Sequence, residues 1–214
     1  MFVVDSQVHI WAADIPERPW PKRGKPHRLA PLGKDELLRE MDAAGVDRVV
    51  IVPPSWEGDR NDLGLEAAQA HPNRFAVMGR LDPQAPSSPG TLATWRRQPG
   101  MLGLRFAFVG PIMQPLLTEG DMDWVWSEAE KAGVPLYVLV PHSMVHLIDA
   151  VAERYPRLKI VMDHLALTPG KKDEAAFRDF DKLLANGSWG AACASGWGGS
   201  CRRSGPRRRG AVDK

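Results

Sequence analysis

Cysteine is nearly absent from this chain. Its two cysteines, Cys193 and Cys201, both lie close to the C-terminus, so residues 1–185 have no disulfide framework and no thiolate with which to bind a metal. No apolar run approaches the roughly 20 residues that a membrane-spanning helix requires. The N-terminus also lacks the basic, then apolar, then small-residue order of a signal peptide, so the expected compartment is the cytoplasm, with no membrane partner. A general cationic surface is missing too. The formal net charge is +2, but six basic residues stand against one acid from Asn186 onward, while residues 1–185 hold 22 basic and 25 acidic side chains. That balance excludes a nucleic-acid-binding body.

The remainder is ordinary for a soluble globular protein: 43% hydrophobic and 25% charged over 214 residues, long enough to bury a core. The stretch Phe2 to Trp11 reads as a buried strand. Alternation places Asp5, Gln7 and His9 on one face and Val4, Val8 and Ile10 on the other. A parallel strand normally buries apolar residues on both faces, so three polar groups toward its C-terminal end call for a site. A loop rich in proline and charge follows, with Trp20 expected to pack over the body and His27 expected in solvent.

Strand and helix then alternate. Helical spacing over Lys34–Ala44, stopped by Gly45, precedes the β-branched run Arg48–Val52. Helix Leu63–Ala70 leads to strand Phe75–Leu81, and a weaker helix over Thr91–Arg97 leads to strand Leu102–Phe108. Helix Met122–Ala132, strand Leu136–Val140, helix Ser143–Tyr155 with Ser143 as N-cap, strand Leu158–Met162 and helix Lys172–Ala185 complete the series. Six such units imply a parallel sheet with right-handed crossovers. A doubly wound open sheet would carry a Gly-rich phosphate loop after its first strand, and none follows Ile10. A TIM-type (β/α)8 barrel gathers its functional groups at the strand C-termini. Polar residues fall there: Gln7, His9, Ser55, Arg80, Asp82, Arg105, His142, Asp163 and His164. The expected fold is therefore an incomplete α/β barrel of about six units, where a full barrel needs eight and typically about 250 residues. Its first and sixth strands would form open edges able to pair with a second copy.

After Ala185 the rhythm stops. Residues 186–214 hold seven glycines, with Val212 the one aliphatic side chain larger than alanine, which predicts a disordered Gly/Arg-rich tail outside a domain of residues 1–185. GC-rich codons read out of register would produce this enrichment in Gly, Arg, Ser, Trp and Cys, so a shifted reading frame is one origin. A tail for RNA or anionic partners is the other.

Asp5-Ser6-Gln7-Val8-His9 resembles the Asp-x-His-x-His opening of the amidohydrolase superfamily, and Val161-Met162-Asp163-His164-Leu165-Ala166 resembles its later strand-end histidine. Val52-Pro53-Pro54-Ser55-Trp56, Gly79-Arg80-Leu81-Asp82-Pro83 and Gly103-Leu104-Arg105-Phe106 are similar to the amidohydrolase-related branch, which holds lactone hydrolases and nonoxidative aromatic-acid decarboxylases. The resemblance implies a (β/α)8 barrel, often with Zn2+ or Mn2+ on strand-end histidines. His9 and His164 would be the metal ligands and catalytic groups, and His142 would be a further ligand or substrate contact. Gln7 stands where the first histidine is expected, and an amide oxygen is a poor ligand for such an ion beside imidazole. Metal-assisted and metal-free sites therefore both stay open. The eighth-strand carboxylate has no counterpart, which would leave the chain short of a general base.

Arg105 shares its strand face with Gly103 and Ala107, opposite Leu102, Leu104, Phe106 and Phe108. Small residues suit the crowded inside of a barrel, so Arg105 is expected at the mouth. There it would clamp a substrate carboxylate, or else close the barrel through an ion pair to Asp82 or Asp163. Ser55 and Tyr137 are candidate orienting groups. The expected function is hydrolysis of a small lactone or cyclic ester, carboxylate-bearing in one version. The alternatives are metal-dependent nonoxidative decarboxylation of an aromatic or unsaturated acid, and an inactive barrel fragment or binding module.

Overall fold

The computed structural model describes residues 1–21, 24, 26–167, 172–178 and 180. The expected Gly/Arg tail, together with Leu183 and Leu184 of the expected last helix, lies outside them. Six strands, β1 (Val4–Val8), β2 (Arg48–Ile51), β3 (Phe75–Gly79), β4 (Met101–Ala107), β5 (Leu136–Leu139) and β6 (Ile160–Met162), form one sheet in sequence order. Every neighbouring pair is parallel. Between them run helices α1 (Lys34–Ala44), α2 (Asp62–Ala70), α3 (Met113–Thr118), α4 (Asp123–Ala132) and α5 (Val145–Arg154), with α6 (Asp173–Phe177) after β6.

The alternation of each strand divides its residues between two faces. Val49, Ile51, Phe75, Val77, Leu104, Phe106, Leu136 and Val138 point outward into the main core, where Leu37 and Met41 of α1, Ala67 of α2, Trp126 of α4 and Ile148 of α5 meet them. On the other face Val50, Val52 and Met78 make a small separate cluster with Leu102 and Tyr137. Leu102 is thus on the opposite face from the one its place in the alternation predicts. The β3–β4 register shifts between Val77 and Met78, and that irregularity breaks strict alternation. Gly103 lies next to it, where a Cβ would meet the Pro135 carbonyl oxygen at 2.2 Å, so only glycine allows this approach.

Other expectations need correction. β1 is an edge strand with Asp5 and Ser6 exposed, rather than a buried one, because β2 is its one strand neighbour among the described residues. Residues Thr91–Arg97 form a 3-10 helix. Ser143 does not cap α5: His142–Met144 make a 3-10 turn, and α5 starts after Met144 without a side-chain cap. The short helix α3 was not anticipated, since Pro115 and a length of six residues leave little periodicity to read. Helix α1 matches its expected bounds and ends on Gly45 in the left-handed conformation (φ 70°).

The loop after β1 is held to the body. Trp11 and Leu32 exchange backbone hydrogen bonds at 3.0 and 3.1 Å, and the Trp20 indole donates to the Ala12 carbonyl at 3.2 Å. Its anchor is Glu57, 2% exposed, which accepts from the Ala12 amide (2.8 Å) and from Arg18 Nε (3.0 Å). A buried carboxylate is tolerated because several donors replace its water.

Candidate active site

The polar residues of the inner face collect beyond the C-terminal ends of the strands. His9 follows β1, and its Nδ1 lies 2.7 Å from the Val52 carbonyl oxygen. A carbonyl can only accept, so Nδ1 carries the hydrogen and Nε2 of the neutral ring is left with a lone pair. Burial lowers the His9 pKa below the ordinary histidine value, against a smaller opposing effect of the Val52 hydrogen bond. Electrostatic coupling to Arg105, His164 and Arg80 acts in the same direction as burial, which places these four groups in one electrostatic neighbourhood.

Arg105 and Tyr137 are register partners on β4 and β5, so their side chains leave the sheet on the same face. Arg105 Nε donates to Asp163 Oδ2 at 3.0 Å, and the two side chains are 7% and 3% exposed. Of the two roles open to Arg105, the ion pair with Asp163 is formed. The Tyr137 phenol is pushed above its ordinary pKa by burial and then by the Asp163 carboxylate, so it stays protonated and able to donate. Arg80 is positioned by Asn61, which accepts from the Arg80 amide (2.7 Å) and donates to the Arg80 carbonyl (2.9 Å), while Asp59 lies 3.8 Å from its guanidinium. Arg80 and Arg105 line a shallow depression open to solvent, walled by Ile112 and Met113 from the segment entering α3.

His164 is exposed and sits in an unusual turn. His164, Leu165 and Ala166 have φ of 49°, 54° and 56°, three consecutive non-glycine residues in the left-handed region. Such residues cost roughly 1–2 kcal/mol each and concentrate at functional sites. The turn is braced by buried His142, whose Nε2 is 3.0 Å from the Leu165 carbonyl. His142 therefore supports the turn bearing His164 and has one ring nitrogen occupied. Ser55 opens the 3-10 turn after β2, half-buried, with its carbonyl accepting from Gly58. His27 is exposed, as expected.

The structure thus brings together His9, Arg105, Asp163 and Tyr137, with His164 at the rim, while Ser55 and His142 serve local backbone roles. Asn61 and Glu57 were missed. An asparagine or glutamate beside a loop carries no sequence signal of which distant backbone group it will reach. Among the described residues no group of three or more His, Cys, Asp or Glu side chains could hold a divalent metal. His9 is oriented as a ligand would be, with its second nitrogen on a carbonyl. The Gln7 amide nitrogen, however, is buried without a hydrogen-bond partner, and His164 is exposed. These residues do not make a metal site.

Residues 4–204 match the amidohydrolase family profile. The L-fucono-1,5-lactonase of Burkholderia ambifaria is 28% identical over 178 residues, which are 78% of this chain and 58% of that protein. The chain therefore spans a little under six-tenths of that relative's length. An amidohydrolase from Burkholderia multivorans with bound zinc superposes with a TM-score of 0.68 at 20% identity, over 88% of this chain and 66% of its own. The 5-carboxyvanillate decarboxylase of Novosphingobium aromaticivorans with bound manganese gives 0.56 at 19% identity, over 77% and 66%. At these identities the structures establish the fold: the curled six-stranded sheet corresponds to most of an amidohydrolase barrel.

Proposed function

The chain belongs to the amidohydrolase family, and from that premise we propose that it is a hydrolase of small lactones or cyclic esters, acting in the cytoplasm through His9 and Arg105. The observation that carries this reading is the neutral His9, fixed by the Val52 carbonyl, in the same electrostatic neighbourhood as the permanently charged Arg105. Its Nε2 takes a proton from water as the oxygen attacks the lactone carbonyl. The guanidinium N–H groups of Arg105 not used on Asp163 donate to the oxygen on which negative charge develops. The ring C–O bond then breaks, and the proton held by His9 passes to the departing alkoxide, giving the hydroxy acid. Protonated His9 is disfavoured by burial and by Arg105, which drives that return. Tyr137 orients the ring as a donor, and the exposed His164 serves as a further substrate contact. Solved relatives carry zinc or manganese, but the described donor set supports no step through a metal here.

The test is base consumption by the purified chain on a panel of lactones, before and after chelator dialysis and with zinc or manganese restored. Opening that survives chelation supports the reading. Carbon dioxide release from 5-carboxyvanillate with manganese, and no lactone opening, would replace it with the decarboxylase alternative. Neither activity would leave a binding module. Among the described residues β1 and β6 are the outer strands of the sheet, which supports a further part of the proposal, that two copies associate through them; light scattering reads this as a dimer mass.

A further inference from the structure

The His9 ring has a second neighbour besides the Val52 carbonyl. Trp56, in the 3-10 turn after β2, makes T-shaped contacts with the rings of His9 (6.0 Å between centroids) and Trp11 (5.7 Å). His9 and Trp11 stand two positions apart on the segment leaving β1, so one indole supports both. Trp56 is not held there by its own polar atom: among the described residues its buried Nε1 has no hydrogen-bond partner. A buried indole N–H ordinarily finds an acceptor, and burying it without one is unfavourable. What keeps the ring in place lies one residue further on. Glu57 closes the same turn and accepts from the Ala12 amide at 2.8 Å and from Arg18 Nε at 3.0 Å. Arg18 also forks onto Asp62, at the start of α2, at 2.6 and 2.8 Å. The loop after β1 is thereby latched across the turn that carries Trp56, and Gly24 of that loop comes so close that a Cβ on it would lie 3.9 Å from Trp56 Cε3.

From this we infer that Trp56 is a positioning residue for His9, and that the Glu57–Arg18 latch, acting through Trp56, decides which imidazole nitrogen carries the hydrogen. Its catalytic consequence rests on the reading of His9 as the proton acceptor. The terminal torsion of a histidine side chain is broad and fixes no ring orientation by itself. Nδ1 must stay 2.7 Å from the Val52 carbonyl oxygen for Nε2 to keep its lone pair. A neutral imidazole released into water favours the Nε2–H form, which cannot accept a proton at Nε2. The Trp56 ring closes one flank of His9 and opposes the rotation that would break the Val52 bond. Arg18 touches neither His9 nor the reacting atoms, so its influence passes through the turn it holds.

Imidazole nitrogen chemical shifts of the full chain, recorded at about pH 8.5 where histidines are neutral, read the tautomer directly, and the His9 signals are those lost in His9→Gln. The unaltered chain is expected in the Nδ1–H form. Trp56→Leu should move the ratio of Nδ1–H to Nε2–H about threefold or more toward Nε2–H, the size of effect a lost aromatic pair gives. Arg18→Met should move it in the same direction by about twofold, since Glu57 keeps its bond to Ala12. Trp56→Phe keeps an aromatic ring and removes the unpartnered N–H, so it should retain the original ratio. Ile148→Val, in the core beneath α5, lowers stability without touching the latch and should leave the ratio unchanged. A ratio unmoved by both Trp56→Leu and Arg18→Met, one that Trp56→Phe shifts as far as Trp56→Leu, one that Ile148→Val shifts, or an unaltered chain in the Nε2–H form would overturn the inference. The expected tautomer shifts in a chain that opens no lactone would support the latch while refuting the hydrolase reading.

Discussion

The two faces of the sheet are made by the same strands and do different work. Outward, Ile51, Phe75, Val77, Leu104 and Phe106 join a continuous apolar core with the helices. Inward, the apolar cluster is small, and beyond it the strand ends carry Arg105, Asp163, Tyr137 and His9. The outer face gains stability in proportion to the area it removes from water, about 25 cal/mol per Å2. The inner face holds a buried ion pair whose attraction is largely offset by desolvation. One side of each strand is selected for energy and the other for placing charge.

That contrast is sharpest where neighbours on β4 are altered. Phe106, 2% exposed and stacked on Phe108 at 6.0 Å, is expected to cost about 3–5 kcal/mol when changed to Ala, read as a lowered denaturant midpoint at unchanged slope. Arg105→Met should cost about 3 kcal/mol, because Asp163 then remains buried without its cation. Adding Asp163→Asn should return most of that loss, so a double-mutant cycle must show strong non-additivity. Additive losses would mean that the inner face is not organised around this pair. The turn after β6 gives the opposite sign. Leu165 is 52% exposed with φ of 54°, and Leu165→Gly should stabilise the chain by about 1 kcal/mol in thermal melts by relieving left-handed strain.

The smallest effect is on pH dependence. His9 works in its neutral form, and its pKa is lowered chiefly by burial. As pH falls, the neutral form therefore persists beyond the ordinary histidine midpoint of about 6.5. The acid limb of kcat/KM for lactone opening should lie below that midpoint, since it reports the free enzyme. Arg80→Gln removes one of the positive charges acting on His9 and should move the limb upward. A limb at or above the ordinary value would show that His9 is not the proton acceptor.

Much of this was legible in advance because the signals are local. The β-branched run at Arg48–Ile51, the apolar run at Leu136–Leu139, the glycines after α1 and α4, and the polar residues at the strand ends each report nearest-neighbour chemistry. The small residues beside Arg105 on its strand mark the face on which its side chain meets Asp163. Leu102 was misplaced because a register shift is decided between strands and leaves no mark on the alternation of either one. Ser143 has the side chain of a helix cap, yet the chain uses a 3-10 turn there, with buried His142 at its start bracing the Leu165 carbonyl.

By itself, the amino-acid order determined the succession of strands and helices, the parallel topology that such alternation requires, and the end of the sheet at which chemistry gathers, because period and turn residues act over a few positions. Only the tertiary structure decided that Arg105 is already paired with Asp163, 58 positions along the chain, that Asn61 holds Arg80, and that His9 is neutral with its lone pair on Nε2. Those outcomes depend on which polar groups lose water together, and burial of that kind exists only once distant strands have closed on one another.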